Sequence, residues 1–184
     1  MKLWLVRHAP PQVAPGICYG ASDLAPDAQA TQACAAQLAA LLPQGLPVLA
    51  SPLQRCEQLA FALHGLRPDL VLNFDARLAE MDFGQWEGQR WDAIPREAFD
   101  AWLADFGAHR FGGRESVNAL LQRVAAAHAE QAQQAIETGE AVWITHAGVI
   151  RAMTLRVQGI IRLTRADQWP REAPGCGEWL QLVC

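Results

Sequence analysis

Charge is sparse in this chain. Asp, Glu, Lys and Arg together make up 18% of 184 residues, while 51% are hydrophobic. That balance excludes a highly charged disordered segment and leaves enough apolar side chain for a full core. A cationic excess is also missing: the formal net charge is −4, so no nucleic-acid or acidic-membrane partner is expected. No long apolar run exists. Leu3 to Val6 is cut short by Arg7, so neither a signal peptide nor a membrane span is expected. The five cysteines (Cys18, Cys34, Cys56, Cys176, Cys184) contain no C-x-x-C pair and are odd in number. They read as reduced, mostly buried thiols of a cytoplasmic protein, not as a disulfide framework. No H-E-x-x-H or comparable ligand cluster occurs, so no metal and no cofactor are expected. Without repeats, low-complexity tracts or a linker, residues 1–184 are expected to form a single domain.

What is present alternates. Leu3 to Val6 reads as a short buried strand. A Pro/Gly-punctuated loop follows, and then Ala30, Ala33, Cys34, Leu38, Leu41 and Leu42 recur at helical spacing up to Pro43-Gln44-Gly45. Pro47 to Ala50 predicts a second strand. Leu53, Cys56, Ala60 and Leu63 predict a helix, and Leu70 to Phe74 a third strand. Residues 76–113 are irregular and aromatic-rich, with a short helix expected over Trp91 to Leu103. Ser116 is placed to cap a long helix whose apolar face is Val117, Leu120, Leu121, Val124 and Ile136. Ala141 to Thr145 predicts a fourth strand, Val149 to Val157 a helix, and Trp179 to Val183 a last strand. Such alternation predicts a three-layer α/β/α sandwich around a largely parallel sheet.

Two of these strands end in a polar residue followed by histidine: Arg7-His8 and Thr145-His146. The strand at 47–50 leads through Ser51 to Arg55 in the first turn of a helix. Ligands of open α/β sheets sit outside the carboxyl ends of the strands. If these strands are parallel neighbours, two histidines and two arginines converge on one edge. Arginine offers a planar, permanent cation matched to phosphate oxygens, and a neutral imidazole is a competent nucleophile. A helix starting near Gly148 adds backbone N–H groups and its positive dipole end. A leaving alkoxide also needs a proton from a nearby carboxylic acid, which spacing alone does not locate.

Four segments carry a family resemblance. Leu5-Val6-Arg7-His8-Ala9-Pro10 resembles the R-H-G signature of the histidine phosphatase (phosphoglycerate mutase-like) superfamily. Ser51-Pro52-Leu53-Gln54-Arg55-Cys56-Glu57-Gln58-Leu59-Ala60 is similar to its S-x-L-x-R-[AC]-x-x-T-A motif. Leu78-Ala79-Glu80 with Phe83-Gly84-Gln85-Trp86-Glu87-Gly88 resembles L-x-E…F-G-x-W-E-G, and Ile144-Thr145-His146-Ala147-Gly148 resembles the closing T-H-G-G. The resemblance implies a metal-independent phosphatase in which His8 is the nucleophile, Arg7 and Arg55 clamp phosphate, His146 stabilises the transferring group and Glu80 is the proton donor. It also places Ala147, Tyr19 and Glu87 around the substrate, although Glu87, the other acidic candidate, reads as a structural partner. Departures are Ala9 and Ala147 in place of glycines, Leu59 in place of Thr, and Arg114 interrupting Gly112-Gly113-Arg114-Glu115-Ser116.

Within the superfamily, mutases resemble R-H-G-x-S-x-W-N, and Ala14 stands where their Asn is found, which favours a phosphatase. Pro10-Pro11, Cys18 to Leu24 and Phe83 to Gly88 resemble the α-ribazole phosphatase group of cobalamin biosynthesis. The implied substrate is α-ribazole 5′-phosphate or adenosylcobalamin 5′-phosphate. Alternatives are a broad small-molecule or sugar-phosphate phosphatase, a phosphoglycerate mutase, or a non-catalytic protein that binds phosphorylated ligands. In each case the partner is a small phosphorylated metabolite, and the chain acts as monomer or homodimer. Phe83, Trp86, Trp91, Phe99, Trp102 and Phe106 admit two readings: a stacking wall for a flat benzimidazole, or rings that pack a small lid, residues 84–113, onto the core.

Overall fold

The computed structural model describes residues 1–134 and 139–184. The strands are β1 (Lys2–Arg7), β2 (Pro47–Ala50), β3 (Val71–Phe74), β4 (Glu140–Thr145) and β5 (Trp179–Val183), and the helices are α1 (Ala28–Leu41), α2 (Gln54–Leu66), α3 (Arg96–Ala104), α4 (Val117–Gln134) and α5 (Ala147–Val157). The strands form one sheet in the order β3-β2-β4-β1-β5. Pairings β1–β4, β4–β2 and β2–β3 are parallel, and β5 returns antiparallel along β1.

The strand period of two sorts side chains to opposite faces. Leu3, Leu5, Ala141 and Trp143 share one core with Leu120, Val124, Ile150 and Met153 of α4 and α5. Trp4, Val6, Val142 and Ile144 share the other with Leu38, Leu59 and Leu63 of α1 and α2. Both faces of the central strands are therefore covered, which is why β1 and β4 read as continuous apolar runs. Each fully buried Leu, Val or Ile contributes about 1.5–3 kcal/mol relative to exposure. The fold is the three-layer α/β/α sandwich with a largely parallel sheet that the alternation predicts.

Local signals explain the boundaries. Asp27 caps α1 by accepting from the Ala30 amide at 2.7 Å, and Ser116 Oγ accepts from the Ala119 amide at 3.2 Å at the start of α4. The expected helix over Trp91 to Leu103 is split into a 3₁₀ turn at Trp91–Ala93 and α3 from Arg96. Pro95 lies between them; its fixed φ and missing N–H suit a helix start and not a helix interior. Ile136, expected on the apolar face of the long helix, lies outside the described residues. Among the described residues, no helix is long and apolar enough to cross a membrane.

Register positions the site. Arg7 pairs with Thr145 across β1 and β4, so the next residues, His8 and His146, leave neighbouring strands side by side. Ala50 pairs with Ile144, which brings Ser51 and the start of α2 to the same edge.

Candidate active site

His8 and His146 meet with ring centroids 5.0 Å apart, and both are buried. The Nδ1 of His8 lies 2.7 Å from the Ala9 carbonyl oxygen. A carbonyl only accepts, so Nδ1 carries the proton and Nε2 keeps its lone pair. That lone pair faces Arg55 Nε at 3.3 Å. Burial, helped by the Arg55 and Arg7 charges and only partly opposed by the Ala9 hydrogen bond, pushes His8 down to about 3. The imidazole is therefore neutral at physiological pH.

His146 has the complementary arrangement. Its Nδ1 accepts from the same Arg55 Nε at 3.2 Å, and Nε2 is 2.8 Å from Ser51 Oγ. Burial first, then the Arg55 charge, holds it well below the ordinary imidazole range.

Arg55 is wholly buried and has no carboxylate partner among the described residues. Its Nη1 donates to the Ser22 carbonyl at 2.7 Å and Nη2 to the Gly20 carbonyl at 2.5 Å. With five N–H groups, the guanidinium keeps donors beyond these contacts. The Tyr19 ring lies over it, with Cζ 5.6 Å from the ring centroid. Arg7 donates through Nη1 to the Pro174 carbonyl at 2.9 Å, while its buried Nε has no partner among the described residues. Two cations thus flank a neutral imidazole nitrogen, an arrangement that draws an anion toward that nitrogen.

Glu80 completes the rim. One oxygen accepts from the Gly148 amide, in the first turn of α5, at 3.0 Å, and the other from the Met81 amide at 3.0 Å. A Cβ at position 148 would stand 2.1 Å from the Glu80 carboxylate, so glycine there gives Glu80 its place. At positions 9 and 147 the situation differs. Among the described residues no residue other than glycine has positive φ, so Ala9 and Ala147 occupy ordinary backbone that tolerates a methyl group. Leu59 packs fully buried in the α1–α2 core, and Arg114 points outward to pair with Asp82 at 3.3 Å.

Glu87 is tied to the backbone. Its carboxylate accepts from the amides of Ala21 (2.8 Å), Ser22 (2.6 Å) and Phe83 (3.0 Å) and from the Ser22 hydroxyl. Both oxygens are engaged by the loop whose Gly20 and Ser22 carbonyls hold Arg55. Glu87 therefore holds the loop that carries the Arg55 acceptors, as a structural partner would.

Some contributors carry no recognisable sequence signal. Arg123 of α4 donates to the carbonyls of Arg77 (2.7 Å), Ala79 (2.6 Å) and Glu80 (3.1 Å), and pairs with Glu115 at 2.7 Å. Thr145 Oγ1 adds a bond to the Leu78 carbonyl at 2.7 Å. Together they pin the segment that carries Glu80. Ser51, read only as the end of a strand and the opening of a motif, orients His146.

The aromatic residues divide their roles. Phe111 is buried at their centre, stacked on Trp102 at 4.4 Å and on Trp91 at 6.2 Å, with Phe99 and Trp86 packed around it. Most of the rings form a small core. Phe83, Trp102 and Phe106, with Trp169 and Arg151, instead line a cavity of about 160 Å³ that reaches Glu80 and Gly148.

The sequence profile described as the histidine phosphatase superfamily (branch 1) matches residues 3–172. Nothing among curated proteins matches. Similar solved structures include the mycobacterial glucosyl-3-phosphoglycerate phosphatase, 25% identical over 98% of this chain and 88% of that one, with a TM-score of 0.82. The same mycobacterial enzyme in complex with inorganic phosphate is 28% identical over 99% and 89%, with a TM-score of 0.79. A protein of Thermus thermophilus is 30% identical over 99% and 93%, with a TM-score of 0.67.

Proposed function

This chain belongs to the histidine phosphatase superfamily, and on that basis we propose that its hydrolysis of phosphate monoesters runs through a phosphohistidine on His8. The observation that carries this reading is the His8 ring: neutral, with Nδ1–H fixed on Ala9 and the Nε2 lone pair held beside Arg55. As Nε2 bonds to phosphorus, the bond from phosphorus to the leaving oxygen breaks. Glu80, in its acid form, gives that oxygen a proton. Glu80 as carboxylate then takes a proton from water, whose oxygen attacks phosphorus and releases phosphate. His8 returns neutral and Glu80 protonated, so the cycle closes. Arg7, Arg55 and His146 surround the charge that develops on the equatorial oxygens. One such donor is worth about 3–4 kcal/mol, and the barrier to phosphate-monoester hydrolysis needs several acting together.

For the substrate we infer α-ribazole 5′-phosphate or adenosylcobalamin 5′-phosphate. The Cys18 to Leu24 and Phe83 to Gly88 segments support this, as does the aromatic cavity beside Glu80, where a flat leaving group has rings to stack on. A sugar phosphate is the second reading, favoured by the likeness to glucosyl-3-phosphoglycerate phosphatase. Values of kcat/KM on α-ribazole 5′-phosphate, glucosyl-3-phosphoglycerate and p-nitrophenyl phosphate separate them. The first reading expects the ribazole ester to lead; a lead for the sugar phosphate overturns it in favour of the second.

A further inference from the structure

Away from the catalytic edge, a cavity of about 530 Å³ opens between α4, α5 and the 160–162 loop. It shares no residue with the site around His8. Ala147 starts α5 at the catalytic edge and Arg156 lies nine residues on, about 14 Å along the helix axis. Three arginines line the cavity, Arg110, Arg156 and Arg162, and among the described residues that line it none is acidic. In a chain of net charge −4, that is a local concentration of one sign.

Each arginine stands on fixed backbone. Arg156 Nε donates to His128 Nδ1 at 3.0 Å, and burial keeps His128 in the neutral form that accepts this bond. Asn118 binds Leu163 twice, donating to its carbonyl at 3.0 Å and accepting from its amide at 2.8 Å, which sets the loop carrying Arg162. Arg110 is held by a bridge to Ser116. No side-chain ion pair or hydrogen bond engages Arg110 or Arg162 among the described residues. The floor is apolar, with Leu121 buried and Ile160 half-buried, and Ile161 stands exposed at the rim.

We propose that this cavity is a second, non-catalytic site for a small organic anion, one whose phosphate or carboxylate group meets the three guanidinium groups and whose apolar body covers Leu121 and Ile160. Guanidinium forks match such oxyanions, and the cavity volume is that of a small-molecule site.

The probe is phenylphosphonate, a hydrolysis-resistant anion with an apolar ring, titrated calorimetrically into the intact protein. Wild type is expected to take up two equivalents per chain, one of them competitive with p-nitrophenyl phosphate. Arg110→Ala/Arg162→Ala should keep the competitive equivalent and its turnover unchanged, and bind the other at least about tenfold more weakly. Unchanged turnover also establishes that the double variant folds. Wild type that binds no equivalent beyond the competitive one, or a double variant whose non-competitive equivalent is undiminished, overturns the proposal. Failure of the catalytic reading appears separately, as turnover that phenylphosphonate does not inhibit.

Discussion

Acidification should destabilise this protein through His8 by an amount that its environment sets. In the native state burial keeps the imidazole neutral down to about pH 3, whereas in the unfolded chain it binds a proton below about 6.5. The unfolded state then holds more protons across that window, so stability is greatest above pH 6.5 and falls as pH drops toward 3. At pH 5 an ordinary imidazole is about 97% protonated, and the linkage comes to about 2 kcal/mol, against about 0.2 kcal/mol at pH 7. The pH 5 figure depends almost entirely on the unfolded value, because the native one lies so far below. Urea unfolding of wild type and His8→Gln at both pH values isolates the effect, since every other titrating group is common to both proteins. Wild type should lose about 2 kcal/mol more than His8→Gln between pH 7 and 5. Activity is a poorer readout, because a substrate phosphate itself titrates near pH 6. Equal losses in the two proteins would show that His8 is solvated and titrates normally, and would remove the argument for a neutral nucleophile.

Further predictions concern the proton donor. Glu80→Gln should slow hydrolysis of alkyl phosphates by about 10²–10⁴-fold and that of p-nitrophenyl phosphate far less, because nitrophenolate leaves without a proton; equal losses on both substrates count against Glu80 as the acid. Gly148→Ala should reproduce that leaving-group selectivity, since its Cβ would occupy the space of the Glu80 carboxylate; retained alkyl-phosphatase activity would show that Glu80 acts from elsewhere.

Much of the site is legible in the sequence because strand ends are readable. A short apolar run closed by Arg7-His8, and another by Thr145-His146, already place the two imidazoles, and parallel register between β1 and β4 brings them together. Arg55 follows from its position in the first turn of the helix after Ser51. Other features have no local signature. The antiparallel return of β5 beside β1 is a choice of partner, which hydrophobic pattern does not encode. Arg123 reaches the Glu80 segment across 43 residues of sequence, and nothing about an arginine in an amphipathic helix announces three carbonyl partners. Glu87 shows what a motif leaves open: an acidic residue there suits the substrate side or a structural role, and the backbone amides that take both of its oxygens become visible only in the fold. The substitutions at Ala9 and Ala147 look like obstacles in the sequence, but only positive φ would demand glycine there, and neither residue has it.

Rapid quenching of a single turnover with ³²P-labelled substrate, followed by peptide mapping under alkaline conditions, tests the account most directly. Label should appear transiently on the peptide containing His8, be stable to alkali and labile to acid, and be absent from His8→Ala. Steady product release with no label on His8 at any quench time would mean that water attacks phosphorus directly, with the imidazole in some other role.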